Sequence, residues 1–230
     1  MTMDWLDTNI NFFILIYGLS FFSIPIAIFH KRREIAHFNL TDNFIGLAAF
    51  GALHGIADLM PLIPRYLDLA QQQIKYVATA KIFVDMISYQ FLAHFAVAEL
   101  TDQKTRLKTL FLFSPVVISI YFFVGMTIVY STKQAYYASL YLLALPSIAL
   151  AVVSFLSLSN RFRDVDMHLL ARDLFALALV FLIYALTKLW PAYSSFGVML
   201  PSGALPMVFR AATAFAAALL TARALNAFKL

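Results

Sequence analysis

Residues 44–63 read FIGLAAFGALHGIADLMPLI. Twenty helical residues extend ~30 Å, which is the thickness of a bilayer's hydrocarbon core. Inside this apolar stretch lie His54, Gly55 and Asp58. His54 and Asp58 are four residues apart, so a helix places them on one face. An ionisable side chain inside an apolar span is costly and marks a functional site by default, with its partner to be found elsewhere in the chain.

The rest of the chain has the same character. Of 230 residues, 62% are hydrophobic and 13% charged, with mean hydropathy +0.81. Soluble domains average ~25% charged residues, so the composition predicts an all-α integral membrane protein. Apolar segments fill the sequence and leave no room for a separate soluble domain. Asp4 and Asp7 precede the first span where a cleavable signal would carry basic residues. Cysteine is absent, which excludes disulfides, thiol catalysis and cysteine metal sites. The net charge of +5 is explained by its distribution between loops, and nucleic acid is not an expected partner.

Seven spans are predicted, at 9–29, 43–63, 76–98, 108–130, 136–158, 170–192 and 206–226, forming one seven-helix membrane domain over residues 1–230. Pro61, Pro64, Pro191, Pro201, Gly203 and Pro206 fall at turns, while Pro25, Pro115 and Pro146 lie inside spans as tolerated kinks. The loops after spans one, three and five hold Lys31, Arg32, Arg33, Lys104, Arg106, Lys108, Arg161, Arg163 and Arg172. Those after spans two, four and six hold Arg65, Lys75 and Lys133. The positive-inside rule then places the N-terminus outside and the C-terminus in the cytoplasm. Trp5, Tyr66, Tyr76, Tyr130, Tyr136, Tyr137, Trp190 and Tyr193 fit an aromatic belt at the outer interface.

On this topology Asp58, Lys81, Asp85, Lys188 and Arg210 occupy one layer in the outer half of the bundle, with Tyr89 one turn from Asp85 and Tyr184 one turn from Lys188. Two acids meet three bases. Such a layer sets the register of the helices through internal ion pairs, or forms a polar pocket whose surplus positive charge takes an anionic or polar ligand. The candidate ligand-binding residues are therefore His54, Asp58, Lys81, Asp85, Tyr89, Lys188 and Arg210. His54 is expected deeper, near mid-membrane, and His94 nearer the cytoplasmic end. A b-type haem held by His54 and His94 is an alternative; no other cofactor is expected. A zinc site from His54, Asp58, Asp85 and His94 lacks the paired histidines on the last span that seven-span lipid amidases use. A retinal Schiff base lacks a lysine within that span.

Three motifs carry a resemblance. FGALHGIAD spans Phe50 to Asp58; Pro206-x-x-x-Arg210 opens the last span; TARALNAFKL carries that helix into the cytoplasm. Together they resemble the N-terminal seven-helix sensor region of bacterial sensor histidine kinases and diguanylate cyclases. The resemblance implies a signalling receptor in the bacterial inner membrane, working as a homodimer, with His54, Gly55, Asp58 and Arg210 as the positions that matter. It also implies an output domain beyond Leu230 or a cytoplasmic partner protein that receives the signal. No nucleophile–base pair, phosphate-binding glycine loop or metal triad is legible in the chain. The expected function is a non-enzymatic membrane sensor that binds a small ligand in its polar layer and transmits through the last helix. A structural or assembly subunit of a larger membrane complex is the alternative of a different class.

Overall fold

The computed structural model describes residues 5, 8–33, 41–101, 132–195 and 204–227. Six long helical rods account for nearly all of them, and no strand occurs among the described residues. They are α1 (Ile10–His30), α2 (Thr41–Leu59), α3 (Gln71–Leu100), α4 (residues 132–164), α5 (His168–Ser195) and α6 (Ala204–Asn226). Each packs on the next, and α6 returns to α1, so the rods close a ring.

Six of the seven predicted spans correspond to these rods, and the fourth, 108–130, lies outside the described residues. Five rods contain a segment long and apolar enough to cross a membrane: Ile10–His30, Phe44–Tyr66, Tyr136–Asp164, His168–Leu189 and Leu205–Asn226. The exception is α3. Its 30 residues are ample in length, but Lys81, Asp85, Gln90 and His94 interrupt its apolar face, and this corrects the expectation that 76–98 matches the other spans in apolarity. The outer surface of the ring is itself apolar. Phe12, Leu19, Ile26 and Phe29 on α1, Leu182 and Leu186 on α5, and Phe215 and Leu219 on α6 are exposed. Aqueous solvent disfavours so continuous an apolar exterior, whereas hydrocarbon accepts it. The chain is built as a membrane protein.

Local chemistry explains the irregular points. After α2 the chain tightens into a 3-10 turn, Met60–Leu62, and one helical turn, Ile63–Tyr66, with Pro61 and Pro64 each at the start of its turn, where a missing N–H costs nothing. Span two therefore continues past its predicted end. In α4, α-helix over Thr132–Ser139 passes through a π segment, Leu140–Ala144, before resuming over Leu145–Asp164. Pro146 follows at once, so the bulge sits where proline has already removed a helical donor. Between α4 and α5 a three-residue turn closes with Met167 N–H on the Phe162 carbonyl (2.9 Å) and Asp166 N–H on the Arg163 carbonyl (3.2 Å). That pattern requires a left-handed residue, and Asp166 supplies it with φ 61°.

Close packing of α1 on α2 sets the geometry of everything inside. A Cβ added at Gly51 would lie 2.8 Å from the Phe21 carbonyl, and one at Gly55 would lie 2.8 Å from the Gly18 carbonyl. Both obstacles are backbone and cannot swing aside. Gly51 and Gly55 thus form a small-xxx-small contact with α1. Pro25 deprives the Phe21 carbonyl of its helical donor, and that carbonyl faces Gly51.

Direction matters for topology. Lys81 and Asp85, in the first half of α3, meet the last two turns of α2, while Glu99 at the end of α3 meets Arg161 at the end of α4. Helices α3 and α4 therefore run parallel, and residues 100 and 132 lie at opposite ends of the ring.

Candidate functional site

His54 is fully buried where five helices converge. Its ring stacks on Phe50 (5.0 Å between centroids, 22°) and is met edge-on by Phe21 (4.7 Å) and Tyr89 (5.0 Å). The glycine contact described above brings α1 close enough for Phe21 and Tyr17 to reach it. Both ring nitrogens are engaged. Nδ1 lies 3.0 Å from Ser88 Oγ, and Nε2 lies 2.6 Å from the Tyr184 hydroxyl.

For an imidazole carrying one proton, the direction of the serine bond assigns the tautomer. Ser88 donates its proton to the Asp85 carbonyl (2.7 Å), so its oxygen accepts from His54 Nδ1–H. Nε2 is then bare and accepts the Tyr184 hydroxyl proton. Tyr184 oxygen accepts in turn from Tyr17 (2.7 Å) and Tyr89 (3.3 Å). One directed chain thus runs from α1 and α3, through α5, to α2 and back to α3.

Around the imidazole stand the charged groups. On antiparallel α2 and α3 the four-residue spacings run in opposite senses, so Asp58 faces Lys81 while His54 faces Asp85. Lys81 Nζ is 2.5 Å from Asp85 Oδ2 and 3.9 Å from Asp58 Oδ1. The second carboxylate oxygens approach the imidazole, Asp58 Oδ2 at 3.3 Å from Nε2 and Asp85 Oδ1 at 3.3 Å from Nδ1. Neither makes a hydrogen bond. His54, expected deeper than Asp58, is joined to the carboxylates because Asp85, one turn further along α3 than Lys81, reaches the level of His54. The layer is two helical turns thick.

The two remaining cations lack carboxylates. Lys188 is 7% exposed, and its Nζ sits over the rings of Tyr184 (5.2 Å), Tyr17 (5.8 Å) and Tyr89 (5.8 Å). Arg210 Nη2 donates to the Thr187 carbonyl at 3.0 Å, and its Nε is buried without a hydrogen bond. Neither forms an ion pair with a described carboxylate. The expected contact of Arg210 with Asp58 or Asp85 is thus replaced by one with the α5 backbone, because Lys81 already stands between those acids.

All seven predicted binding residues (His54, Asp58, Lys81, Asp85, Tyr89, Lys188 and Arg210) are therefore brought to one cluster. His94 is not; it follows Ser88 by six residues, ~9 Å along the helix. His54, Asp58 and Asp85 offer one ligand atom each, all within 4.8 Å of one another, a spacing that could hold a metal ion. The Lys81 ammonium occupies the cation's place between the two acids. Sequence reasoning leaves Tyr17 and Ser88 out and treats Tyr184 only as a neighbour of Lys188. The available signal was depth: Tyr17, Tyr89 and Tyr184 lie mid-helix, away from the interface where tyrosines collect, and a hydroxyl there needs a partner.

No family model, curated protein or solved structure matches this chain. The functional reading therefore rests on the site itself. Chemically, the site can relay a proton along its directed hydroxyl–imidazole chain, exchange Lys81 for another cation, or take negative charge at Lys188 and Arg210. The crevice beside it, between α1, α5 and α6 and lined by Phe21, Phe181, Tyr184 and Thr213, is too narrow for a water molecule.

Proposed function

We propose that the chain is the membrane sensor module of a bacterial signalling protein in the inner membrane. It takes a small ligand in the polar layer around His54 and transmits through α6. The observation that carries this reading is the incomplete pairing of the layer: Lys188 and Arg210 are placed there without a carboxylate, at a cost that a purely structural layer would avoid. Arg210 belongs to the last helix and holds α5 through a hydrogen bond to the Thr187 carbonyl. A ligand that engages Arg210 differently in two arrangements shifts the population between them, and α6 carries the shift toward its C-terminal end.

The parallel course of α3 and α4 supports a seven-span count with 108–130 as the returning span. The loop charges support an N-terminus outside, which puts the polar layer in the outer half. The output then lies in a domain or partner protein on the cytoplasmic side. The tight closure of the crevice favours one competing reading, a structural subunit whose polar layer only fixes helix register.

Cysteine is absent from the sequence, so spin labels can be placed singly at the exposed residues Phe29 on α1 and Asn226 on α6. Pulsed dipolar spectroscopy of the full chain in a bilayer then reads the distance between them. Arg210→Ala is expected to leave the protein inserted while shifting or broadening that distance distribution. An unaltered distribution in the inserted variant removes the transmission mechanism in favour of the register-setting subunit.

A further inference from the structure

We propose that Lys188 and Arg210 form a binding site for one monoanionic oxyanion group, a carboxylate or a phosphodiester. The inference builds on the receptor reading by naming the chemical class of its ligand. Three independent features carry it.

The first is Lys188. A buried ammonium ordinarily ends on a carboxylate or on backbone carbonyls. Lys188 is more than nine-tenths buried and forms neither ion pair nor hydrogen bond among the described residues, where its Nζ sits over three tyrosine faces. Aromatic faces attract a cation but leave its N–H donors unsatisfied.

The second is Arg210. Its guanidinium carries five donors in a fork that matches a two-oxygen anion. One nitrogen donates to the Thr187 carbonyl, and Nε–H is buried and unpartnered. Thr187 immediately precedes Lys188, so this bond draws the guanidinium to the segment that bears the ammonium.

The third is charge. The two carboxylates, Asp58 and Asp85, share Lys81, and a neutral His54 adds no charge. With Lys188 and Arg210 added, the layer carries three positive and two negative charges, a surplus of one. A monoanion neutralises it. A dianion overshoots, and a divalent cation at His54, Asp58 and Asp85 raises the surplus to three. The layer is therefore complementary to a single negative charge.

The group can come from a free small molecule or from the headgroup of an anionic lipid, and the experiment separates the two. The full chain is placed in nanodiscs of phosphatidylcholine alone, or with added phosphatidylglycerol, and its thermal unfolding is followed. Acetate and dimethyl phosphate serve as free monoanions, sulfate as a dianion and chloride as the ionic-strength control. A free ligand is expected to raise the midpoint saturably in phosphatidylcholine discs, acetate or dimethyl phosphate binding at least tenfold more tightly than sulfate. A lipid headgroup instead raises the midpoint on adding phosphatidylglycerol, and free anions then add nothing. In either case Lys188→Met and Arg210→Gln weaken the effect at least tenfold, whereas Arg161→Gln, at the other end of the ring, leaves it intact. Methionine fills the lysine's volume, so Lys188→Met is the variant that keeps the fold. A midpoint unresponsive in both kinds of disc, or a response that survives both variants, overturns the site. The Phe29–Asn226 distance separates this result from the receptor reading. An anion that binds without moving the labels keeps the site and removes the receptor; labels that move in Arg210→Ala with no anion bound do the reverse.

Discussion

The two ends of the helix ring handle charge in different ways. At the far end, Arg161 Nη2 meets Glu99 Oε2 at 2.8 Å between α4 and α3, and Arg223 Nη2 meets Asp173 Oδ1 at 3.1 Å between α6 and α5. Each acid is buried but each arginine is about half exposed, so the cation stays solvated while its stem packs. Those pairs join neighbouring helices two at a time. Around His54, five helices meet in one network, every hydroxyl is committed, and two cations have no carboxylate partner among the described residues. The far end can be explained by register alone. The His54 end cannot, because register needs only matched pairs, and surplus buried charge works against stability.

The contrast can be broken at its foundation. Gly55→Leu drives a side chain into the Gly18 carbonyl and separates α1 from α2. Overpacking usually costs about 1–3 kcal/mol and more where backbone is struck, so this variant is expected to fail to fold, read as loss of a monodisperse species in detergent. Normal recovery would show that α1 can withdraw without disturbing the His54 network.

His54→Ala tests the network itself. It removes the shared acceptor of Tyr184, the donor to Ser88 and the ring that stacks on Phe50. A cavity combined with unsatisfied buried polar groups predicts a loss of about 3 kcal/mol in unfolding free energy, measured by reversible denaturant titration in micelles. A loss below ~1 kcal/mol would reduce the His54 end to the rank of a surface pair and erase the comparison.

The smallest effect is expected at the opposite end. Arg161→Gln removes the half-exposed partner of the buried Glu99, and leaving that one carboxylate less well partnered is expected to cost about 1–2 kcal/mol. The variant is expected to unfold within that margin of the parent, with the difference shrinking as salt rises. A large, salt-insensitive loss would mean that the far end is as tightly coupled as the His54 layer.

Several features were legible in the residues alone. Length and apolarity of continuous stretches determine which segments can be membrane helices; six of the seven predicted spans recur as described helices, five of them long and apolar enough to cross a membrane. The membership of the polar layer was also legible. A charge inside an apolar span has few acceptable places, and equal depth on antiparallel helices brings such charges together, as Asp58, Lys81, Asp85, Lys188 and Arg210 show. Pairing was not legible. Depth says which groups share a layer but not which helix faces which, so nothing local reveals that Lys81 serves both acids or that Arg210 turns to the Thr187 carbonyl. The tyrosines were hidden for a related reason. Tyr17 and Tyr184 lie far apart in sequence, and only the close contact of Gly18 with Gly55 brings α1 near enough for both hydroxyls to join the chain to His54. The sequence by itself determined the helices and their buried charges, because hydrophobic length and desolvation are properties of a segment. The tertiary structure alone decided the partners, because helix rotation and neighbour order are set by packing between segments.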